Sequence, residues 1–99
     1  FWGNELTLHA TDPNHKIISE RHNVDMGNVT VPHFGVHLDA ITFKNLKQRL
    51  IDKNIKFIDP PYIRFKGEDI EQETMFLADP NGNCMEIKTM KNPNTLFKK

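Results

Sequence analysis

Along residues 5–10, Glu-Leu-Thr-Leu-His-Ala, apolar and polar positions alternate. Leu6, Leu8 and Ala10 share one side; Glu5, Thr7 and His9 share the other. A period of two predicts a half-buried strand. Residues 11–30 hold Pro13, Gly27, several Asn and many charges without sustained periodicity, which predicts a long surface loop of a functional or mobile kind. Alternation returns at 31–38, where Phe34, Val36 and Leu38 oppose His33, Gly35 and His37. The pattern then changes to a helical one over about 42–53, with Phe43, Leu46 and Leu50 forming one apolar stripe. Thr42 fits its N-cap and Asn54 a left-handed stop, while Lys44, Lys47, Arg49 and Lys53 fill a solvated face.

Three further extended segments follow. Ile55 to Ile58 reads as strand, broken or bent by Asp59-Pro60-Pro61, and Tyr62 to Phe65 continues extended. After a turn at Lys66 to Asp69 comes a strand at 72–78. Asp79-Pro80-Asn81-Gly82 is a strong turn signal, with Pro fixing φ and Gly accepting a positive one. The last strand, 84–89, sets Met85 and Ile87 against Cys84, Glu86 and Lys88. The expected fold is α+β within a single domain over 1–99: a β-α-β-β-β module at 31–90, then a polar tail at 91–99 whose Leu96-Phe97 pair is suited to docking.

The beginning of the chain echoes its end. Shifted by 79 positions, Gly3-Asn4 falls on Gly82-Asn83, Leu6 on Met85, Thr7 on Glu86, Leu8 on Ile87 and His9 on Lys88. Residues 1–10 therefore read as the last strand of an earlier module of the same kind, truncated in front of Phe1.

Composition narrows the function classes. The 99 residues suffice for one domain, and 37% hydrophobic with 26% charged residues is ordinary for a globular protein. Lys plus Arg and Asp plus Glu number 13 each, which leaves no electrostatic footprint for nucleic acid or an anionic membrane. No apolar run approaches membrane-spanning length. The one cysteine, Cys84, rules out an internal disulfide and suits the cytoplasm. It has no nucleotide-binding loop, CxxC pair or nucleophile elbow.

His33 opens one strand and Glu86 lies on the last, both on the face opposite the one that packs the helix. An imidazole and a carboxylate converging on one surface are suitable ligands for a divalent metal. By spacing alone, a hydrogen-bonded His at a strand end is the commoner role. His37 shares the His33 face, and Glu5 and His9 stand in the first strand as polar rim candidates. His15 and His22 lie in the loop. Phe43, Phe57, Phe65 and Phe76 fit a core better than a stacking platform.

Several stretches together resemble the vicinal oxygen chelate superfamily, the glyoxalase, bleomycin-resistance and extradiol-dioxygenase group. They are Val31-Pro32-His33-Phe34-Gly35-Val36, Arg64-Phe65-Lys66-Gly67, Glu71 through Asn83 with its Asp79-Pro80-Asn81-Gly82-Asn83 end, and Met85-Glu86-Ile87-Lys88. The likeness covers nearly the whole chain, and within the group the chain is similar to small bacterial proteins of the extradiol type. The resemblance implies paired βαβββ modules around a metal, with His33 and Glu86 as the ligands of the second module. It also implies a pocket for a small-molecule substrate, with Glu5, Thr7, His9, His37, Arg64, Phe65, Thr74 and Phe76 as candidate lining. The exposed edge strand and apolar sheet face expected of a truncated first module favour a homodimer. Thr7 at the echo of Glu86 implies two His and one Glu, the facial triad of Fe(II) oxygenases, with Mn, Zn or Ni as alternative metals. Glu5 or His9 would supply a further ligand if the register shifts by two. Phe76 departs from the pattern, because extradiol enzymes carry Tyr at that place; this leaves the acid–base groups open, with His15 or His22 as candidates. The resemblance thus implies an extradiol-type dioxygenase, with a glyoxalase-like isomerase or lyase, or an antibiotic-sequestering protein, as alternatives.

Overall fold

The computed structural model of the chain describes residues 2, 3, 5, 7, 9, 10, 12–14, 20–24 and 27–96. Two strands form a hairpin, β1 (Glu20–Val24) and β2 (Gly27–Val31), paired antiparallel from Glu20 opposite Val31 to Val24 opposite Gly27. The βαβββ module follows: β3 (His33–His37), α1 (Ala40–Asp52), β4 (Phe57–Arg64), β5 (Gln72–Ala78) and β6 (Cys84–Met90). Its strands lie in the order β3-β6-β5-β4, with β3 parallel to β6 and the other pairs antiparallel. The α+β module expected from the sequence is the fold observed.

Each face of this sheet buries a separate cluster. On one side Leu38, Met75, Leu77 and Ile87 receive Phe43 of α1, with Leu46 and Leu50 packed against them. The apolar stripe of the helix is the one the 3.6-residue period marks. Lys47 leaves the solvated face that the charge pattern suggests: it reaches back to Glu73 of β5 at 2.6 Å and lies 5.8 Å from the Phe43 ring centroid. On the other side Val29 of the hairpin covers Phe76 and Cys84, with Val31, Ile58 and Tyr62 alongside.

Within the strand expected over 5–10, Glu5, Thr7, His9 and Ala10 lie in irregular backbone, and Leu6 and Leu8 fall outside the described residues. Three expectations about other strands are corrected. The loop expected over 11–30 holds the β1–β2 hairpin instead. Val29, Thr30 and Val31 gain a strand because they pack on the sheet, with Val29 only 3% exposed. The single strand expected at 31–38 is divided at Pro32, so Val31 ends β2 and His33 begins β3. The two segments expected on either side of Pro60-Pro61 are one strand, β4, whose register with β5 shifts between Phe57 and Asp59 and between Asp59 and Tyr62. β4 is an edge of the sheet, where a bulge and missing amide donors are tolerated.

Helix α1 begins two residues earlier than expected, at Ala40. Its cap is Asp39, whose Oδ1 accepts from the Thr42 backbone N–H at 2.9 Å and whose Oδ2 accepts from Thr42 Oγ1 at 2.6 Å. Thr42 thus donates to the cap and is not the cap itself. Asn54, with φ 54°, takes the left-handed conformation expected of it. The Asp79 turn forms as expected: Oδ1 accepts from the backbone N–H groups of Asn81 and Asn83 at 2.9 and 2.8 Å, and Gly82 has φ 90°. In the tail Leu96 is exposed and Thr95 buried; Phe97 falls outside the described residues.

Candidate functional site

The ladder between β3 and β6 sets His33 beside Cys84 and Gly35 beside Glu86. On the face opposite α1 this brings His33 Nε2 to 3.4 Å from Glu86 Oε2, with the two side chains 27% and 12% exposed. A charge-assisted hydrogen bond spans about 2.7–2.9 Å, so the two atoms face one another without a good bond. Two ligand atoms each ~2.1 Å from one ion lie roughly 3.0–3.4 Å apart for angles between octahedral and tetrahedral. The observed spacing admits a divalent ion, and the borderline imidazole with the hard carboxylate is a donor set that Fe(II), Mn(II), Zn(II) and Ni(II) accept.

The remaining polar atoms of the pair are held from behind. His33 Nδ1 lies 2.8 Å from the Thr30 carbonyl oxygen. A carbonyl only accepts, so Nδ1 carries a proton, and Nε2 is the ring atom that faces Glu86. Glu86 Oε1 accepts from Thr74 Oγ1 at 2.8 Å, and Thr74 has no exposed surface. Phe76, 1% exposed, meets the His33 ring edge-on, with centroids 5.2 Å apart and an interplanar angle of 85°. A Cβ on Gly35 would stand 1.8 Å from the Glu86 carbonyl oxygen, so only glycine allows β3 to approach β6 this closely here.

A cavity of about 270 Å³ opens along these two strands, lined by His33, Phe34, Gly35, Val36, His37, Glu86 and Lys88. Burial, and then Lys88, push the His37 imidazole below its ordinary range, with Glu86 opposing them. Burial raises the Cys84 thiol, which keeps it protonated and inert, as a small buried hydrophobe is.

Of the residues expected in the pocket, His37, Thr74 and Phe76 gather with His33 and Glu86. Arg64 and Phe65 lie at the end of β4, where the guanidinium stacks 5.0 Å from the Phe65 ring centroid. Glu5, Thr7 and His9 are exposed, and Thr7 Oγ1 donates to Glu5 Oε1 at 3.4 Å. Among the described residues no third His, Cys, Asp or Glu joins His33 and Glu86 as a potential ligand. His15 lies outside the described residues, and His22 is described in backbone only, within β1.

Two residues of this face escape sequence reasoning. Lys88 reads there only as an alternating polar position. Tyr62 reads as part of an isolated extended segment, but β4 pairs it with Thr74, and it packs on the Phe76 cluster. Burial raises its phenol above the ordinary value, with Asp59 and Glu86 adding to the effect and Arg64 and Arg21 opposing it. Pairing 62–65 with 72–74 in an antiparallel register would have found it.

No protein-family model and no curated protein matches the chain. A solved structure does: the glyoxalase/bleomycin resistance protein/dioxygenase from Alicyclobacillus acidocaldarius, at 30% identity and a TM-score of 0.62, over 76% of this chain and 55% of that one. The fold is the glyoxalase/bleomycin resistance fold of that protein. A second solved structure, described as a conserved domain protein, matches at 21% identity and a TM-score of 0.43, over 71% of this chain and 56% of that one. The chain spans about half the length of the structures it matches. Among the described residues, no helix is long and apolar enough to cross a membrane.

Proposed function

We propose that this chain is a βαβββ module of a metal-dependent enzyme of the vicinal oxygen chelate superfamily, of the extradiol-dioxygenase type, acting on a small molecule with two neighbouring oxygens. The observation that carries the reading is the convergence of His33 Nε2 and Glu86 Oε2 at 3.4 Å, with each partner's other polar atom already engaged. His33 and Glu86 would hold a divalent ion, Fe(II) by preference, which supplies a Lewis acid for the substrate oxygens. Thr30, through its carbonyl, keeps His33 Nε2 directed at the site. Thr74 fixes the Glu86 carboxylate, leaving Oε2 for the ion. Phe76 excludes water behind the imidazole. Tyr62 stays protonated and can donate a hydrogen bond on the same face.

Elemental analysis of the purified protein tests the ligands. His33→Ala and Glu86→Ala should each lose bound metal; unchanged uptake in both variants rejects the site. The reaction is tested by anaerobic loading with Fe(II), followed by a small catechol panel and O₂. Oxygen consumption supports the dioxygenase. Turnover of the methylglyoxal–thiol hemithioacetal with Ni(II) or Zn(II), without oxygen uptake on any catechol, replaces it with an isomerase or lyase. Ligand capture without turnover in either assay replaces it with a sequestering protein.

A further inference from the structure

Two lysines of the described residues are half-buried, Lys47 and Lys88. A partly desolvated ammonium is unfavourable unless something negative compensates it. For Lys47 that group is Glu73, at 2.6 Å. Lys88 has no carboxylate within ion-pair distance among the described residues. It lines the same cavity as His33 and Glu86. Its neighbour in the ladder is His37 of β3 on one side and Thr74 of β5 on the other, neither of which carries negative charge. The one carboxylate of the cavity, Glu86, is turned to Thr74 and His33.

We propose that Lys88 is the anion-recognising residue of this cavity, and that the ligand is a small carboxylate bearing two adjacent oxygens. Lys88 follows Glu86 by two positions on one strand, so both project from the same face, roughly 7 Å apart along it. That separation is comparable to the span from the diol oxygens to the carboxylate of a dihydroxybenzoate. A ligand of this shape places its oxygens at His33 and Glu86 and its carboxylate at the ammonium, so its charge complements the uncompensated lysine.

The inference rests on the metal reading above, and one experiment separates the failure of each. The full chain is loaded with redox-inert Zn(II) and titrated calorimetrically with catechol and with 3,4-dihydroxybenzoate. The wild type should prefer the carboxylate probe by ~10-fold, the scale of a hydrogen bond to a charged group. In Lys88→Met the ratio of the two affinities should fall to about one, and in Lys88→Arg, which keeps the charge, most of the preference should return. Equal affinities in the wild type, or a preference that survives in Lys88→Met, overturns the role of Lys88 and leaves the metal site standing. Failure of the wild type to take up Zn(II) overturns the metal reading and the inference with it. The wild-type ratio is decisive even if Lys88→Met does not fold.

Discussion

Thr74 is small, buried and hydroxylated, and each property matters to Glu86. Its single proton goes to Oε1 at 2.8 Å, so the carboxylate cannot turn away from His33 without losing a buried partner. Thr74→Val keeps the shape and removes the proton. The expected cost is about 1–3 kcal/mol of stability, for an acceptor left without its donor. Zn(II) affinity should fall ~10–100-fold, the usual effect of losing a group that orients a ligand. Thr74→Ser should restore most of the affinity. Competition against a chromophoric chelator checks this, and equal affinity in Thr74→Val and wild type would remove Thr74 from the site. Gly35 makes a different demand. Its missing side chain is what lets β3 lie against Glu86, since a Cβ would meet the carbonyl oxygen at 1.8 Å. Gly35→Ala should force the two strands apart at about 1–3 kcal/mol, the range for overpacking, and widen the His33–Glu86 gap. Denaturant unfolding together with metal titration measures both effects; a variant as stable as wild type contradicts the close approach.

At the scale of elements, two carboxylates secure the boundaries of the module. Asp39 caps α1 and Asp79 ties the turn between β5 and β6. Hydrogen bonding holds both below the ordinary value of 3.8: for Asp39 chiefly the Thr42 hydroxyl, for Asp79 chiefly the Asn83 side chain. A depressed folded pKa makes stability rise with pH across the range where the unfolded chain binds more protons than the folded one, and leaves the full gain in place above that range. Their contribution is therefore fully present above 3.8 and is lost as pH falls through the folded value. Asp79→Ala should lower the melting temperature at neutral pH, and the difference from wild type should shrink as the pH drops below that range. A constant difference across the acid limb would show that the carboxylate charge is not the cause. The hairpin has its own fastening: Arg21 Nη2 donates to Asp59 Oδ1 at 3.0 Å and also to the Asn28 carbonyl, and Nη1 reaches Thr30 Oγ1 at 3.3 Å. Arg21→Ala should speed amide exchange in β1 and β2 while leaving β5 and β6 protected, since an exposed pair contributes only ~0–1 kcal/mol to the whole. What the sequence reveals follows the same division. β5 and β6 are legible because an apolar run in one and alternation at Met85 to Lys88 in the other flank a strong turn at Asp79, and the helix because its stripe is long. The hairpin is not, because its strands are fastened by Arg21 to an aspartate 38 positions away and by Val29 to Phe76, contacts that no local window contains. His33 and Glu86 are legible as a pair because both start from strands whose faces alternation fixes; Lys88 and Tyr62 gain meaning only from the pairing of strands.

At the scale of the molecule, the candidate centre is short of ligands among the described residues. A catalytic divalent ion takes three or more protein ligands, and the described residues bring His33 and Glu86 alone. The strand that carries His33 is an edge of the sheet, with Phe34 41% exposed upon it. An edge strand that carries an exposed aromatic ring favours pairing with another strand. A second copy of the chain meeting this edge would bring further ligands toward the first pair and cover Phe34. Dimerisation and metal uptake should then be linked, because an ion bound only by the pair of chains shifts the equilibrium toward the dimer. Sedimentation of the full chain with and without Zn(II) should show the dimer fraction rising with the metal. Phe34→Glu should weaken association and metal affinity together, though its side chain is no ligand. A protein that stays monomeric and binds one ion per chain, unaffected by Phe34→Glu, would place the remaining ligands within the same chain instead.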